Sequence, residues 1–95
     1  MTPELSQVEG LVLQALLCIE GPATAIAISQ TIRRALANSA SVGRIYIAFG
    51  ALSDRGLVRI RNGQIVQGGR TKTQTVAQLT ERGRFMARQL SAPSR

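Results

Sequence analysis

Ser41-Val42-Gly43-Arg44-Ile45-Tyr46-Ile47-Ala48-Phe49-Gly50-Ala51-Leu52-Ser53-Asp54-Arg55-Gly56-Leu57-Val58 holds a helix start, an apolar seam, a stop and a change of period. The Ser41 hydroxyl can accept a bond from an otherwise unpaired amide of the first turn, which makes it a good N-cap. Val42, Ile45, Phe49 and Leu52 recur three or four residues apart and so stack on one face of a helix. Gly56 can take the left-handed conformation that closes a helix without steric cost. From Leu57 the pattern alternates: Val58 and Ile60 on one face, Arg59 and Arg61 on the other, as in a half-buried strand.

Upstream of Ser41 the sequence predicts two more helices. The first lies between Thr2 and Ile19, with two candidate starts: Thr2-Pro3-Glu4, with Pro at the first helical position, and the capping box Ser6-x-x-Glu9. Val8, Leu11, Val12, Ala15, Leu16 and Ile19 share one face, while Leu5, Leu13 and Leu17 add apolar surface elsewhere on the circumference. That excess suits a second subunit, or a deeply buried helix. Gly21-Pro22 ends it. Thr24 caps a second helix from about Ala25 to Leu36, with Ile28, Ile32, Ala35 and Leu36 inward and Ser29, Gln30, Arg33 and Arg34 outward. Arg33 and Arg34 also suit the negative end of that helix's dipole.

Downstream, two turns compete. Asn62-Gly63 is the stronger local hairpin signal, whereas Gly68-Gly69 gives a longer ribbon. The β-branched run from Thr71 to Val76 needs a partner strand, and only the segment before Gly68 can supply it. Gly68-Gly69 is therefore the expected tip, the return strand runs from about Thr71 to Leu79, and Asn62-Gly63 becomes a bulge or kink. Thr80 caps a last helix carrying Phe85, Met86 and Leu90, and Ser91 to Arg95 form a short tail.

At 95 residues the chain is one domain spanning 1–95, with a core from about residue 5 to 90. Apolar residues make up 44%, enough for a core, and the scarcity of aromatics makes that core aliphatic. Twelve Lys and Arg against five acids give +7, and eleven of the twelve are Arg. The planar five-donor guanidinium suits phosphates and guanine edges, so the balance favours a nucleic-acid partner. Cys18 sits in an apolar run and reads as a small core residue. There is no His, the carboxylates are scattered, and no metal-ligand cluster or phosphate-binding glycine loop is visible. An enzyme is not expected, nor a metal or cofactor. No signal peptide or membrane span is evident, so a cytoplasmic location without membrane association is the expectation.

The order helix, helix, helix, strand, strand, helix defines an α+β, mainly α fold: a winged helix-turn-helix with a two-stranded antiparallel wing and a C-terminal helix. Ser41-Val42-Gly43-Arg44-Ile45-Tyr46, Arg55-Gly56-Leu57 and Leu79-Thr80-Glu81-Arg82-Gly83, with Gly21-Pro22 between the first two helices, resemble the winged helix-turn-helix domain of PadR-type bacterial transcriptional regulators. The resemblance covers about Leu11 to Arg88. It implies sequence-specific binding of double-stranded DNA by a small homodimeric regulator, a repressor that occludes RNA polymerase, working at the bacterial nucleoid. Such regulators usually continue into a C-terminal helical region that makes the dimer. Here the sequence ends at Arg95, so a short form is expected, leaving Leu5, Leu13, Leu17, Phe85, Met86 and Leu90 as candidate dimer contacts. No effector is indicated.

In that reading residues 41–55 form the recognition helix in the major groove, and the wing over 57–79 reaches the backbone or a minor groove. Ser41, Gly43, Arg44 and Ile47 lie at the groove-facing end. Arg44 is the candidate base reader, because a guanidinium can pair with both guanine acceptors; a phosphate contact or a solvated face is its plainer role. Tyr46 matches a family tyrosine and either bonds a phosphate or pads the core. Arg70 and Lys72 flank the ribbon tip and suit phosphate or minor-groove contact, or else guard a strand edge. Arg33 and Arg34, and Arg59 or Arg61 if the wing turns that way, would hold the backbone. The outer face is otherwise apolar at Ile47, Gly50 and Ala51. This gives a competing reading, a protein-interaction winged helix docking its partner there.

Overall fold

Each of the four helices among the described residues begins where a hydroxyl accepts an amide three residues on. In the computed structural model, which describes residues 5–91, the elements are α1 (Gln7–Ile19), β1 (Ala23–Thr24), α2 (Ala25–Ala35), α3 (Val42–Asp54), β2 (Val58–Gln67), β3 (Arg70–Leu79) and α4 (Glu81–Ser91). Ser6 accepts from the Glu9 amide at 3.1 Å, Thr24 from Ala27 at 3.2 Å, Ser41 from Arg44 at 3.2 Å and Thr80 from Gly83 at 3.0 Å. Glu9 answers the Ser6 amide at 3.4 Å, completing the capping box. Of the two starts offered for α1, the one at Ser6 is present. Thr2-Pro3-Glu4 lies outside the described residues.

The stop at Gly56 is a Schellman motif. Gly56 has φ +72°, its amide donates to Ser53 O at 3.0 Å, and the Leu57 amide donates to Leu52 O at 2.9 Å. Leu52 and Leu57 are both buried, supplying the apolar contact that accompanies this cap. The chain leaves it as β2, which pairs without interruption with β3, from Val58 opposite Leu79 to Gln67 opposite Arg70. Gly68 and Gly69 form the tip with φ +60° and +77°. The sheet is antiparallel, in the order β1-β3-β2.

Helices α1, α2 and α3 enclose Leu13, Leu16, Ile28, Ile32, Ile45 and Leu52, all fully buried, and the base of the ribbon adds Val58 and Ala77. α4 then lies back on α1, where Gln14 Nε2 donates to Leu90 O at 3.5 Å. The start of α4 is locked to the end of α3. Thr80 Oγ1 donates to Gly56 O at 2.6 Å and the Thr80 amide to Leu57 O at 3.1 Å. Gly83 sits so close that a Cβ there would overlap the Leu57 carbonyl. The Leu79-Thr80-x-x-Gly83 run is thus a joint: a hydroxyl that caps one helix and bonds the exit of another, with a glycine that lets the two backbones touch.

The structure corrects the sequence reading in five places. The sheet has three strands, not two, because Ala23 and Thr24 pair with Ala77 and Val76 on the free edge of β3. Extended backbone at Thr24 (φ −79°, ψ 164°) serves both strand and cap. Asn62-Gly63 is neither bulge nor kink: both residues keep register, opposite Thr75 and Gln74, and Thr75 Oγ1 donates to Asn62 Oδ1 at 3.3 Å. Cys18 is exposed rather than core, since α1 turns Val12, Leu13, Ala15 and Leu16 inward. Leu13, offered for a dimer, is therefore a core residue. Ala35 is exposed, and the inward stripe of α2 is Ala25, Ile28 and Ile32.

Candidate nucleic-acid interface

At about 100° per residue, Gly43, Ile47, Gly50 and Asp54 run along the line of α3 facing away from buried Ile45, Phe49 and Leu52. Arg44 and Ala51 flank that line on one side, Tyr46 and Ser53 on the other. Ser41, Gly43, Arg44, Tyr46 and Ile47 are all exposed and gathered on the first two turns, while Ala51 is half-buried. Ile47 is 75% exposed. Tyr46 is 48% exposed and meets the ring of Phe49 edge-on, with centroids 5.8 Å apart and planes at 79°. Its ring therefore rests on the rim of the core while part of it stays in solvent.

Arg44 has no ion pair among the described residues. It borders, with Ile47 and Ala48, a shallow hollow of about 150 Å³ closed by Ser6, Val8 and Glu9 of the α1 start. Glu9 is already engaged by the Ser6 amide and by Arg55 Nη1 at 3.5 Å. That ion pair ties the C-cap of α3 to the first turn of α1. Ser41 meanwhile spends its hydroxyl on the Arg44 amide, so its first role is to shape the helix start.

The ribbon carries the rest of the charge. Residues directly opposite in an antiparallel pair share a face. The pairings Arg59–Gln78, Arg61–Val76, Ile65–Lys72 and Gln67–Arg70 therefore put Arg59, Arg61, Lys72 and Arg70 on one and the same face. All four are exposed. The other face continues from buried Val58 and Ala77 to Asn62, Thr75, Gln64, Thr73, Thr71 and Val66, which is 76% exposed. A ten-residue strand is about 33 Å long, so Arg70 and Lys72 lie far from the base, where Arg59 and Arg61 sit. Arg33 and Arg34 are exposed on the last turn of α2. The expected contact residues thus sit on three elements: α3, the ribbon and the last turn of α2. In the sequence Arg59 and Arg61 are conditional candidates only. Their alternation with Val58 and Ile60 was visible, but their alignment with Arg70 and Lys72 depends on the register.

Of the other expected contacts, Leu5, Leu17 and Met86 are half-buried, whereas Phe85 is 65% and Leu90 39% exposed. Leu90 Cδ1 packs over Gly10, which seats α4 on α1. A larger hollow of about 300 Å³ lies between the end of α1, the end of β3 and α4, bordered by Leu17, Glu20, Gln78, Arg84 and Arg88. It contains none of the expected DNA-contact residues. No helix among the described residues is long and apolar enough to cross a membrane.

No protein-family model matches the sequence, and comparison with curated proteins returns no match. Among solved structures the chain is similar to Bacillus subtilis PadR in complex with operator DNA (TM-score 0.67, 20% identity), covering 90% of this chain and 49% of that one. The chain thus spans about half the length of that protein. It is similar also to a transcriptional regulator from Clostridium thermocellum, Cth-833 (TM-score 0.67, 22% identity), covering 90% of this chain and 84% of that one. Pex from Synechococcus sp. is a third (TM-score 0.67, 19% identity), with coverage of 94% and 83%. The chain has the PadR-like winged-helix fold.

Proposed function

We propose that this protein is a non-enzymatic transcriptional regulator that binds double-stranded DNA sequence-specifically as a homodimer. α3, residues 41–55 with its cap, enters the major groove, and the wing over 57–79 follows the backbone or an adjacent minor groove. The observation that carries this reading is the ribbon face on which Arg59, Arg61, Lys72 and Arg70 are aligned, projecting from the same fold as an outward-facing capped helix, in a chain of charge +7. Cations in line along one face suit a row of phosphates better than a dispersed solvated surface does. The likeness to a PadR caught on operator DNA supports the same reading.

Arg44 reads a guanine edge, while Arg33, Arg34, Arg70 and Lys72 hold phosphates. Leu5, Leu17, Met86, Phe85 and Leu90, on and beside α1 and α4, make the dimer. Two copies then read half-sites about one helical turn apart. Bound over a promoter in the bacterial cytoplasm, such a dimer represses by occluding RNA polymerase. A gel shift at moderate salt on duplexes selected from random sequence tests this: replacing Arg44 and Arg70 together by Ala should abolish binding, and full retained affinity would overturn it.

One observation favours a second reading. Ile47 is 75% exposed beside Gly50, an apolar surface on which a protein partner could dock. Capture of a protein by this face, with no salt-dependent affinity for any DNA, selects that alternative.

A further inference from the structure

We propose that Ile47 reads the 5-methyl group of a thymine in the major groove, and so imposes a thymine requirement on this surface. The inference rests on the DNA-binding reading above and deepens it. Along the outermost line of α3, Ile47 is the one side chain of any size before Asp54, at the far end. Gly43 and Gly50 bracket it, and a Cβ at either would meet nothing within 4 Å. The fold therefore does not need glycine at these positions. A glycine inside a helix nonetheless costs stability relative to alanine. What the two glycines do is leave the helix backbone bare on both sides of Ile47, so that base edges can come close while Ile47 projects into them.

The chemistry of the projecting group narrows its target. An isoleucine offers no hydrogen bond to a base edge, so what it gains on contact is the removal of apolar surface from water. In the major groove only thymine presents a methyl group. Arg44 precedes Ile47 by three residues, about 4.5 Å along the helix axis, against about 3.4 Å between base pairs. A guanine paired by Arg44 and a thymine touched by Ile47 then lie one or two steps apart in each half-site. Positive charge on the ribbon and none on the outermost line up to Asp54 divides the labour: the ribbon supplies affinity, and α3 supplies choice of sequence.

The test uses the full chain and duplexes selected from a random-sequence library. Each thymine of the enriched site is replaced singly by deoxyuridine, which deletes one methyl group and changes no hydrogen-bonding edge. Affinities are measured at one salt concentration for the wild type and for Ile47→Ala. One thymine per half-site should show about fourfold weaker wild-type binding on replacement, the equivalent of about 0.8 kcal/mol at 1.4 kcal/mol per tenfold. Ile47→Ala should bind the thymine and uracil forms of that duplex equally, with an unfolding midpoint close to wild type. Equal wild-type affinity for thymine and uracil at every position overturns the assignment, as does discrimination that survives unchanged in Ile47→Ala. A selection that enriches no duplex at all instead overturns the DNA-binding reading beneath it.

Discussion

The same change, glycine to alanine, is expected to have opposite signs in α4 and α3. At Gly83 the new Cβ would overlap the Leu57 carbonyl oxygen and stand 2.8 Å from its carbon and 3.2 Å from Leu57 Cα. All three atoms are backbone, and that carbonyl accepts the Thr80 amide at 3.1 Å, so it has no side-chain rotamer by which to retreat. α4 must move instead, at an overpacking cost near the upper end of about 1–3 kcal/mol. Moving it also strains the Thr80 bonds to Gly56 O and Leu57 O, each contributing about 1 kcal/mol. Better helix propensity returns about 1 kcal/mol. The net expectation for Gly83→Ala is a loss of about 3 kcal/mol, a fall in Tm of roughly 12–24 °C for a domain of this size. At Gly50, where nothing lies within 4 Å, Ala should stabilise by about 0.4–1 kcal/mol and raise Tm by a few degrees. Thermal and urea unfolding followed by far-UV circular dichroism reads both. A Gly83→Ala protein as stable as wild type would refute the direct backbone contact between α4 and the α3 exit.

Thr80→Ala removes the cap on α4 and the bond to Gly56 O together, and should cost about 2 kcal/mol in urea unfolding; a loss below about 0.5 kcal/mol would mean the joint is held elsewhere. Leu13→Ala should cost about 2–5 kcal/mol as a core cavity. Phe85→Glu, at an exposed site, should change monomer stability by about 0.5 kcal/mol or less, yet shift sedimentation equilibrium towards monomer. An unchanged association constant rules the α1–α4 surface out as the interface. Replacing Arg70 and Lys72 by Ala should flatten the log–log salt dependence of DNA affinity by about 0.9 for each phosphate no longer neutralised, equally on specific and unrelated duplexes. An unchanged slope means the ribbon tip does not touch phosphate.

What could be read from the residue order is what depends on residues three or four apart. The four hydroxyl caps and the glycine stop at Gly56 are local interactions, complete within one turn of chain, whereas the tip at Gly68-Gly69 follows from the partner strand that Thr71 to Val76 needs. The inner seam of α3 followed for the same reason, since a helical period repeats over short distances. Tertiary packing decided the rest. α1 is apolar around much of its circumference, so periodicity could not rank Leu13 against Leu17 or place Cys18; the positions of α2, α3 and α4 did. β1 is two residues long and carries no pattern of its own, and it exists because β3 offers a free edge at Val76 and Ala77. Asn62-Gly63 is a turn signal overruled by ladder bonds on both sides, which continue beyond it to the tip. The cationic face is the clearest case. Arg59, Arg61, Arg70 and Lys72 are plain in the sequence, but a two-residue turn pairs odd positions with even ones and so brings them to one side. A one-residue slip of that register would have set Arg70 and Lys72 on the opposite face, because side chains alternate along a strand.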